Sequence, residues 1–230
     1  MDSDADTFAE DRRNLIETIV AEAGDTANWT GRATFSPAVI AAMAEVPRHL
    51  FVPRGEEVCA YANRPLSIGH GQTISQPFIV AVMSDLLDLR AEDRVLEVGT
   101  GCGYQTAVLA RLARHVYSIE VIAALAESAA RRLHDLGISN VSLRHGDGYA
   151  GWPEAAPFDA IILTAAPPRL PKALIDQLCV GGRLVAPLGP PQETQMLCRC
   201  VKSGDGSLTC EDKLPVAFVP MVAGSRSRRP

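Results

Sequence analysis

RVLEVGTGCGYQTAVLARLARHVYSIE, residues 94–120, is the stretch of this chain that decides its fold. The apolar run of Val95, Leu96 and Val98 is typical of a strand buried in a parallel sheet. A turn rich in glycine follows, and residues 104–114 are good helix formers without glycine or proline. A second β-rich run ends at the acid Glu120. Strand, glycine loop, helix, strand and acid together indicate half of a nucleotide-binding α/β fold.

The size and composition of the chain fit one domain and exclude several classes of protein. It has 230 residues, 47% of them hydrophobic, so it can bury a large core. Its net charge of -5 argues against a nucleic-acid partner, which needs a basic face. No apolar run reaches the roughly 20 residues that a membrane span needs. The acidic, polar start is not a signal peptide, so a cytoplasmic location is expected.

Six cysteines are present, and none forms a C-x-x-C motif. Cys198 and Cys200 would share one face of a strand, which leaves a metal or redox pair open. The sequence favours small buried thiols in a reducing cytosol, and no metal site is expected. The basic tail residues Arg226, Arg228 and Arg229 are interpreted as a solvated end.

The rest of the chain predicts a doubly wound, Rossmann-like sheet with N-terminal helices and an antiparallel edge. Ser36 caps a helix that has Pro37 in its first turn. Residues 48–53 are expected to be extended, and residues 61–76 to form a loop. Helices are predicted at residues 7–23, 38–45, 78–87, 121–136 and 171–179. Further strands are predicted at residues 141–144, 158–163, 183–187, 196–202, 208–213 and 216–222.

The spacing of the glycine loop favours S-adenosyl-L-methionine over a dinucleotide. A dinucleotide fold prefers G-x-G-x-x-G, whereas this loop has G-x-G-x-G after the acid Glu97. An acid suits a cofactor that carries a sulfonium and an ammonium group, and it would repel a diphosphate. Glu120 can bind a ribose diol, and Asp147 with Gly148 lies at the next strand end, where adenine is expected. Taken alone, each acid could be a solvated turn residue or a helix cap.

Several segments resemble the protein-L-isoaspartate (D-aspartate) O-methyltransferase family. PLSIGHGQTISQPFIV at residues 65–80 and VLEVGTGCGYQTAVLA at residues 95–110 look like its signatures. VPRHLFVP, FDAIILTAAPP and VAFVPMV, at residues 46–53, 158–168 and 216–222, are also similar. The resemblance covers residues 38–222 and implies methyl transfer to the free carboxylate of L-isoaspartyl residues in damaged proteins. The ester then collapses to a succinimide, which hydrolyses partly to aspartate. S-adenosyl-L-homocysteine would be the other product.

The resemblance places the active-site serine at Ser75. The expected substrate-binding residues are Thr73, Ile74, Gln76 and Pro77. The expected cofactor-binding residues are Glu97, Gly99, Thr100, Gly101, Gly103, Thr106, Glu120, Asp147 and Gly148. One methyltransferase domain is expected over residues 1–230, with a helical lead-in (1–60), a catalytic core (61–222) and a flexible tail (223–230). Residues 1–6 are expected to be disordered.

The chemistry of the acceptor is consistent with an orienting role for Ser75. A carboxylate with a pKa near ~3.9 is ionised at neutral pH and needs no general base. It needs positioning against the methyl group and removal of water. The helix that begins at Pro77 can attract the anion, and Ser75 can donate a hydrogen bond to it. From position alone, an ordinary helix cap would explain Ser75 equally well.

The sequence leaves other functions open. A relative could methylate an ordinary aspartate of one dedicated peptide, and a protein without turnover or a small-molecule methyltransferase is a further alternative. The run GQTISQP disfavours the last of these. Residues 164–169 lack the amide or acid and the aromatic that amino-methylating enzymes place around Pro-Pro. Ala217 stands where family members often have arginine, which affects the expected peptide site. A monomer acting on isoaspartyl proteins is expected.

Overall fold

The computed structural model describes residues 7–190 and 193–224. Its α-helices are α1 (Ala9–Asp25), α2 (Ala27–Thr30), α3 (Pro37–Glu45), α4 (Pro77–Leu86), α5 (Tyr104–Ala110), α6 (Ala123–Asp135) and α7 (Lys172–Gln177). Its strands are β1 (Leu66–Gly69), β2 (Gln72–Ile74), β3 (Arg94–Val98), β4 (His115–Glu120), β5 (Val141–His145), β6 (Phe158–Leu163), β7 (Leu178–Leu188), β8 (Gln195–Lys202) and β9 (Leu208–Val216).

Seven of the strands form one sheet in the order β5-β4-β3-β6-β7-β8-β9. The pairs from β5 to β7 are parallel, and the pairs β7–β8 and β8–β9 are antiparallel. The predicted doubly wound sheet with an antiparallel edge is therefore confirmed. The central strands are buried on both faces, since Val95 and Leu96 of β3 and Ile161 and Ile162 of β6 have no exposed surface. Because β3 lies between β4 and β6, the chain changes direction there and opens a crevice at the carboxyl ends of these strands.

The N-terminal helices pack on the sheet side that carries α4. Leu15 and Ile19 of α1 are buried, as the apolar stripe predicted. Ser36 caps α3 as expected, because its side chain accepts a hydrogen bond from the Val39 N–H at 3.4 Å, with Pro37 in the first turn. The expectation of an extended segment over residues 48–53 is wrong. Arg48–Phe51 is a 3₁₀ helix instead, because the Leu50 N–H bonds the Pro47 carbonyl in one tight turn.

The segment expected to be a loop before α4 contains a hairpin. Strands β1 and β2 pair antiparallel, and Gly69, His70 and Gly71 make the turn with positive φ angles. Glycine adopts such angles without strain, which lets so short a turn close. The hairpin lies over the glycine loop of the sheet, since Ile68 Cδ1 stands 3.4 Å from where a side chain on Gly101 would begin.

The predicted strand over residues 216–222 is wrong beyond Val216. There a single parallel bridge joins Ala166 to Pro220, and the residues around Pro220 belong to no strand. The Ala166 N–H bonds the Val219 carbonyl, and the Met221 N–H bonds the Ala166 carbonyl, each at 2.9 Å. The helix predicted at residues 171–179 is also shorter, because β7 begins at Leu178.

The cysteines correct a further expectation, because Cys200 and Cys210 form a disulfide across β8 and β9. They are direct register partners in the hairpin, which brings their side chains together. Cys59, Cys102, Cys179 and Cys198 are free thiols. No metal-binding cluster and no helix able to cross a membrane are found in the described ranges. Residues 1–6 and the arginines of the tail lie outside those ranges.

The ion pair of Arg183 with Asp93 ties β7 to the chain before β3. Arg183 also donates to the Leu87 carbonyl at 2.8 Å, and both charged side chains are largely buried. We expect Asp93→Ala to lower the free energy of unfolding by about 3 kcal/mol, since it leaves a buried guanidinium without its partner. The control is Asp176→Ala, which breaks the exposed pair with Lys172 and should cost less than about 0.5 kcal/mol. Urea unfolding measures both, and equal losses would contradict a role for the Arg183 pair.

Candidate active site

A cleft opens at the carboxyl ends of β3, β4 and β6, with a volume of about 800 Å³ including its mouth. The hairpin β1–β2 and the segment from Val219 to Val222 form its other walls. We call this the first cleft. It is lined by Gln72, Thr73, Ile74, Ser75, Val80, Val98, Gly99, Thr100, Gly101, Cys102, Tyr104, Gln105, Ile119, Glu120, Val121, Ile122, Gly148, Thr164, Ala165, Val219, Pro220, Met221 and Val222. Such a crevice is where open α/β sheets bind their ligands.

The glycine loop after β3 forms the floor of the first cleft. Gly99, Gly101 and Gly103 have φ angles of +104°, +56° and +92°, which other residues rarely adopt. A side chain on Gly99 would collide with the Thr164 hydroxyl, which donates to the Gly99 carbonyl at 2.5 Å. Gly99 and Gly101 line the first cleft, whereas Gly103 begins α5 behind it. At Gly99 and Gly101 the loop therefore brings backbone, and not side chains, to the ligand side.

Glu120 holds the loop from the end of β4. Its carboxylate accepts hydrogen bonds from the Gly101 N–H at 2.8 Å and from the Ile122 N–H at 2.9 Å. The side chain is largely buried but still lines the first cleft. A carboxylate has about four acceptor positions, so two backbone donors leave others for a ligand hydroxyl.

Glu97 lies beneath the loop and does not line the first cleft. Its Oε2 accepts from Thr106 Oγ1 at 2.5 Å and from Ser118 Oγ at 2.6 Å, and Thr100 Oγ1 pairs with the same serine at 2.6 Å. Its Oε1 is buried and finds no hydrogen-bond partner in the described part of the chain. Burial raises the pKa of Glu97 from its ordinary 4.5 to about 7, although the hydrogen bonds from Ser118 and Thr106 oppose the shift.

Of the remaining residues expected to bind the cofactor, some line the first cleft and others do not. Gly148 lines the first cleft, and a side chain there would strike Val98 and Met221. Asp147 does not line the first cleft, and its Oδ1 accepts from the Tyr149 N–H at 2.9 Å. Thr100 lines the first cleft, whereas the Thr106 side chain points away from it, to Glu97.

Ser75 lies where the first cleft meets a second one. The second cleft is lined by Pro65, Thr73, Ser75, Gln76, Ile79, Thr164, Thr194, Pro215, Val216, Ala217, Phe218 and Val219. Thr73, Ser75, Thr164 and Val219 belong to both clefts. Within the described ranges, Ser75 Oγ makes no hydrogen bond, and Gln76 occupies the N-cap position of α4. Ser75 is therefore not an ordinary helix cap.

The N-terminus of α4 is less free than the sequence suggested. Pro77 has no N–H, and the Phe78 N–H donates to Asn63 Oδ1 at 3.0 Å. Asn63 is fixed in turn by Glu22, whose Oε2 accepts from its Nδ2 at 2.6 Å. Pro77 lines neither cleft, whereas Gln76 lines the second. The expected attraction of an anion to this helix end is thus confined to the groups beside Ser75.

Sequence reasoning missed several residues that shape the site. The hydroxyl of Thr164 and the segment from Val219 to Val222 line the first cleft. These residues stand in the runs TAAPP and VAFVPMV, which resembled the family, but their patterns did not indicate contact with a ligand. Nothing in the local sequence around Asn63 pointed to a helix cap.

The residues around the first cleft fit S-adenosyl-L-methionine. Glu120 offers acceptors suited to a ribose diol. Gly101 brings backbone to the first cleft beneath Ile68, and Gly148 lets Val98 and Met221 pack closely in its wall.

The raised pKa of Glu97 predicts how the ligand-free protein responds to pH. In the folded protein Glu97 holds its proton up to about pH 7, whereas in the unfolded chain it loses it near 4.5. The unfolding free energy should therefore fall as pH rises through this window and level off above it. The total effect is about 3 kcal/mol, at about 1.4 kcal/mol per pH unit.

Glu97→Gln removes the titrating group and serves as the reference for this measurement. Urea unfolding between pH 4.5 and 8 should show the wild type losing stability relative to this variant as pH rises. Parallel curves for the two proteins would contradict the shifted pKa.

Comparisons with known proteins agree with this geometry. The family model described as protein-L-isoaspartate(D-aspartate) O-methyltransferase matches residues 28–226. The chain is 52% identical to protein-L-isoaspartate O-methyltransferase 2 of Syntrophobacter fumaroxidans, over 95% of this chain and 89% of the relative. It is 51% identical to protein-L-isoaspartate O-methyltransferase 1 of Nitrosospira multiformis, over 93% and 87% of the two chains.

Solved structures give the same result for the fold. One protein-L-isoaspartate O-methyltransferase superposes with a TM-score of 0.79 at 29% identity, covering 91% of this chain and 65% of that one. A Plasmodium falciparum methyltransferase in complex with S-adenosyl-L-homocysteine superposes with a TM-score of 0.74 at 23% identity. On the strength of the family match and the close relatives, this chain belongs to the protein-L-isoaspartate (D-aspartate) O-methyltransferase family.

Proposed function

We propose that this protein transfers a methyl group from S-adenosyl-L-methionine to the free carboxylate of L-isoaspartyl residues in damaged proteins and peptides. The observation that carries the proposal is the position of Ser75 on the wall shared by the two clefts. A methyl donor in the first cleft and a peptide in the second would meet at this residue.

The first cleft holds the cofactor, which supplies an electrophilic methyl group on a sulfonium when it is bound. Gly99, Gly101 and Thr100 form the backbone floor, and Glu120 and Gly148 close the sides. Glu97, Gly103, Thr106 and Asp147 act from behind this wall by holding its backbone and side chains in place.

The second cleft holds the peptide around the isoaspartyl residue. Thr73, Ile74 and Gln76 belong to the segment that presents the peptide, and Pro77 fixes the start of α4 behind it. The carboxylate is ionised at neutral pH, with a pKa near ~3.9, so no residue has to remove a proton. The enzyme contributes position and exclusion of water, which together raise the rate of a displacement reaction.

Ser75 orients the carboxylate. Its hydroxyl is half-buried and free of protein partners in the described part of the chain, so it can donate to one carboxylate oxygen while the other attacks the methyl group. Hydrogen bonds to an ionised acceptor are the stronger kind. After ester formation, the neighbouring backbone nitrogen of the peptide displaces methanol and forms a succinimide, which begins the repair of the residue.

We also propose a monomeric enzyme of the cytoplasm that acts on proteins and not on nucleic acid. The net charge of -5 supports the last point, since phosphate backbones are bound by basic surfaces. The domain would comprise the helical lead-in over residues 1–60, the catalytic core over residues 61–222 and the tail over residues 223–230.

A peptide pair that differs only in an aspartyl or L-isoaspartyl linkage tests the function. With methyl-labelled S-adenosyl-L-methionine, we expect label on the isoaspartyl peptide alone, and mild base should release it because it is held as an ester. Equal labelling of both peptides would indicate methylation of ordinary aspartate, and base-stable label would indicate N-methylation. Either result would refute the proposal.

Ser75→Ala tests the orienting role. We expect kcat to fall about 10- to 100-fold, the effect of losing one hydrogen bond to a charged group. The affinity for S-adenosyl-L-homocysteine, measured by calorimetry, should change little because the variant leaves the glycine loop and Glu120 intact.

Ser67→Ala is the matched control, since Ser67 lies in the same hairpin, opposite Thr73, and lines neither cleft. It should retain wild-type turnover. Normal turnover in Ser75→Ala would remove this hydroxyl from the mechanism.

A further inference from the structure

Arg48 is a fully buried arginine beneath the active site, with no exposed surface. Its Nε donates to the Ala60 carbonyl and its Nη2 to the Ser75 carbonyl, each at 2.8 Å. Among the described residues no carboxylate pairs with it, and its Nη1 has no hydrogen-bond partner. Burial lowers its pKa. A buried charge without a counter-ion costs stability, so its retention calls for a specific role.

The same guanidinium also touches the first cleft through Tyr104. Its central carbon lies 4.8 Å from the centroid of the Tyr104 ring, a distance at which a cation is attracted to an aromatic face. Tyr104 is buried at the start of α5 and contributes to the wall of the first cleft. Arg48 thus joins the start of α5 to the segment that carries Ser75.

The contact with the Ser75 carbonyl fixes the peptide unit between Ser75 and Gln76. In a planar trans peptide the C=O and the N–H point in opposite directions. The carbonyl points inward to Arg48, so the Gln76 N–H points away from the core. Gln76 lines the second cleft, and its N–H has no acceptor among the described residues.

The two residues that follow Gln76 cannot take this role. Pro77 lacks one, and Asn63 occupies that of Phe78. Among residues 76–78, the Gln76 N–H is therefore the backbone donor that remains for a ligand, and it directly follows Ser75 in the chain.

We propose that Arg48 is a positioning residue that turns the Ser75–Gln76 peptide so that the Gln76 N–H and the Ser75 hydroxyl together receive the carboxylate of the substrate. The inference rests on the proposed function and adds a second donor to the site. Arg48 itself does not touch the substrate. The buried cation keeps the donor pair in place before the peptide arrives, which saves the reorganisation that a mobile segment would need.

Arg48→Met tests the role, with Arg199→Met as the matched control. Arg199 also donates to a backbone carbonyl of α4, that of Leu86 at 2.8 Å, but at the far end of the helix. We expect Arg48→Met to lower kcat on an isoaspartyl peptide by about 10- to 100-fold, as a displaced reacting group does. Its affinity for S-adenosyl-L-homocysteine should stay near the wild-type value. Arg199→Met should lose stability but keep its kcat.

A spectroscopic readout separates positioning from a general loss of structure. In the wild type and in Arg199→Met, titration with the isoaspartyl peptide in the presence of S-adenosyl-L-homocysteine should shift the Gln76 amide signal in the ¹⁵N–¹H spectrum. In Arg48→Met this shift should be lost. A Gln76 amide that does not respond in the wild type, or a kcat of Arg48→Met equal to that of Arg199→Met, would overturn the proposal.

Arg48→Lys keeps the inference testable if Arg48→Met does not fold. A lysine retains the charge but has no planar fork to hold both carbonyls. We expect an intermediate kcat with normal cofactor affinity, and a wild-type kcat would overturn the proposal. Absence of ester from the wild-type enzyme would refute the proposed function instead, because the amide titration measures binding alone.

Discussion

Backbone N–H and C=O groups of the loop after β3 form hydrogen bonds with neighbouring elements. The arrangement of the rest of the site follows from these hydrogen bonds. The N–H groups of Gly99 and Thr100 bond the Ile119 carbonyl at the end of β4. The Gly101 N–H bonds Glu120, and the Gly99 carbonyl accepts from Thr164 after β6. Buried backbone groups that lack such partners are costly. These hydrogen bonds hold the carboxyl ends of β3, β4 and β6 together, and the first cleft lies between them.

Two ionisable side chains are buried under this site without an opposite charge. Glu97 lies below the glycine loop, and Arg48 lies below the segment that carries Ser75. Each leaves one polar atom without a partner among the described residues. Buried ionisable groups without an opposite charge are common at functional sites, where the environment is arranged for binding and not for stability. Here one lies under the proposed cofactor and the other under the proposed substrate.

In and around the segment from β1 to α4, different residues cover the glycine loop, cap α4 and present a free hydroxyl. The hairpin covers the glycine loop through Ile68, and Asn63 caps α4 in place of Ser75. Because capping is done from elsewhere, the Ser75 hydroxyl stays free. The chain after β9 then returns over the first cleft, where Met221 lies close to Gly148. Both clefts are therefore lined partly by segments outside the main sheet, as is common where a rigid sheet supports a site.

The sequence by itself determined the parallel core, the glycine loop, the Ser36 cap and, through resemblance, the family. Local sequence patterns determine these features, because apolar runs, glycine spacing and cap residues act within a few positions of one another. Only the tertiary structure decided that Arg48 contacts Ser75, that Asn63 caps α4 and that Cys200 pairs with Cys210. It also decided that residues 217–222 do not form a strand and that residues 219–222 line the first cleft. These contacts join positions far apart in the chain, or depend on which elements become neighbours, so no local pattern can encode them. The sequence predicted Glu97 as a cofactor-binding residue for its charge; only the tertiary structure decided that its carboxylate is buried and accepts from Thr106 and Ser118, because these residues come from elements that the fold brings together.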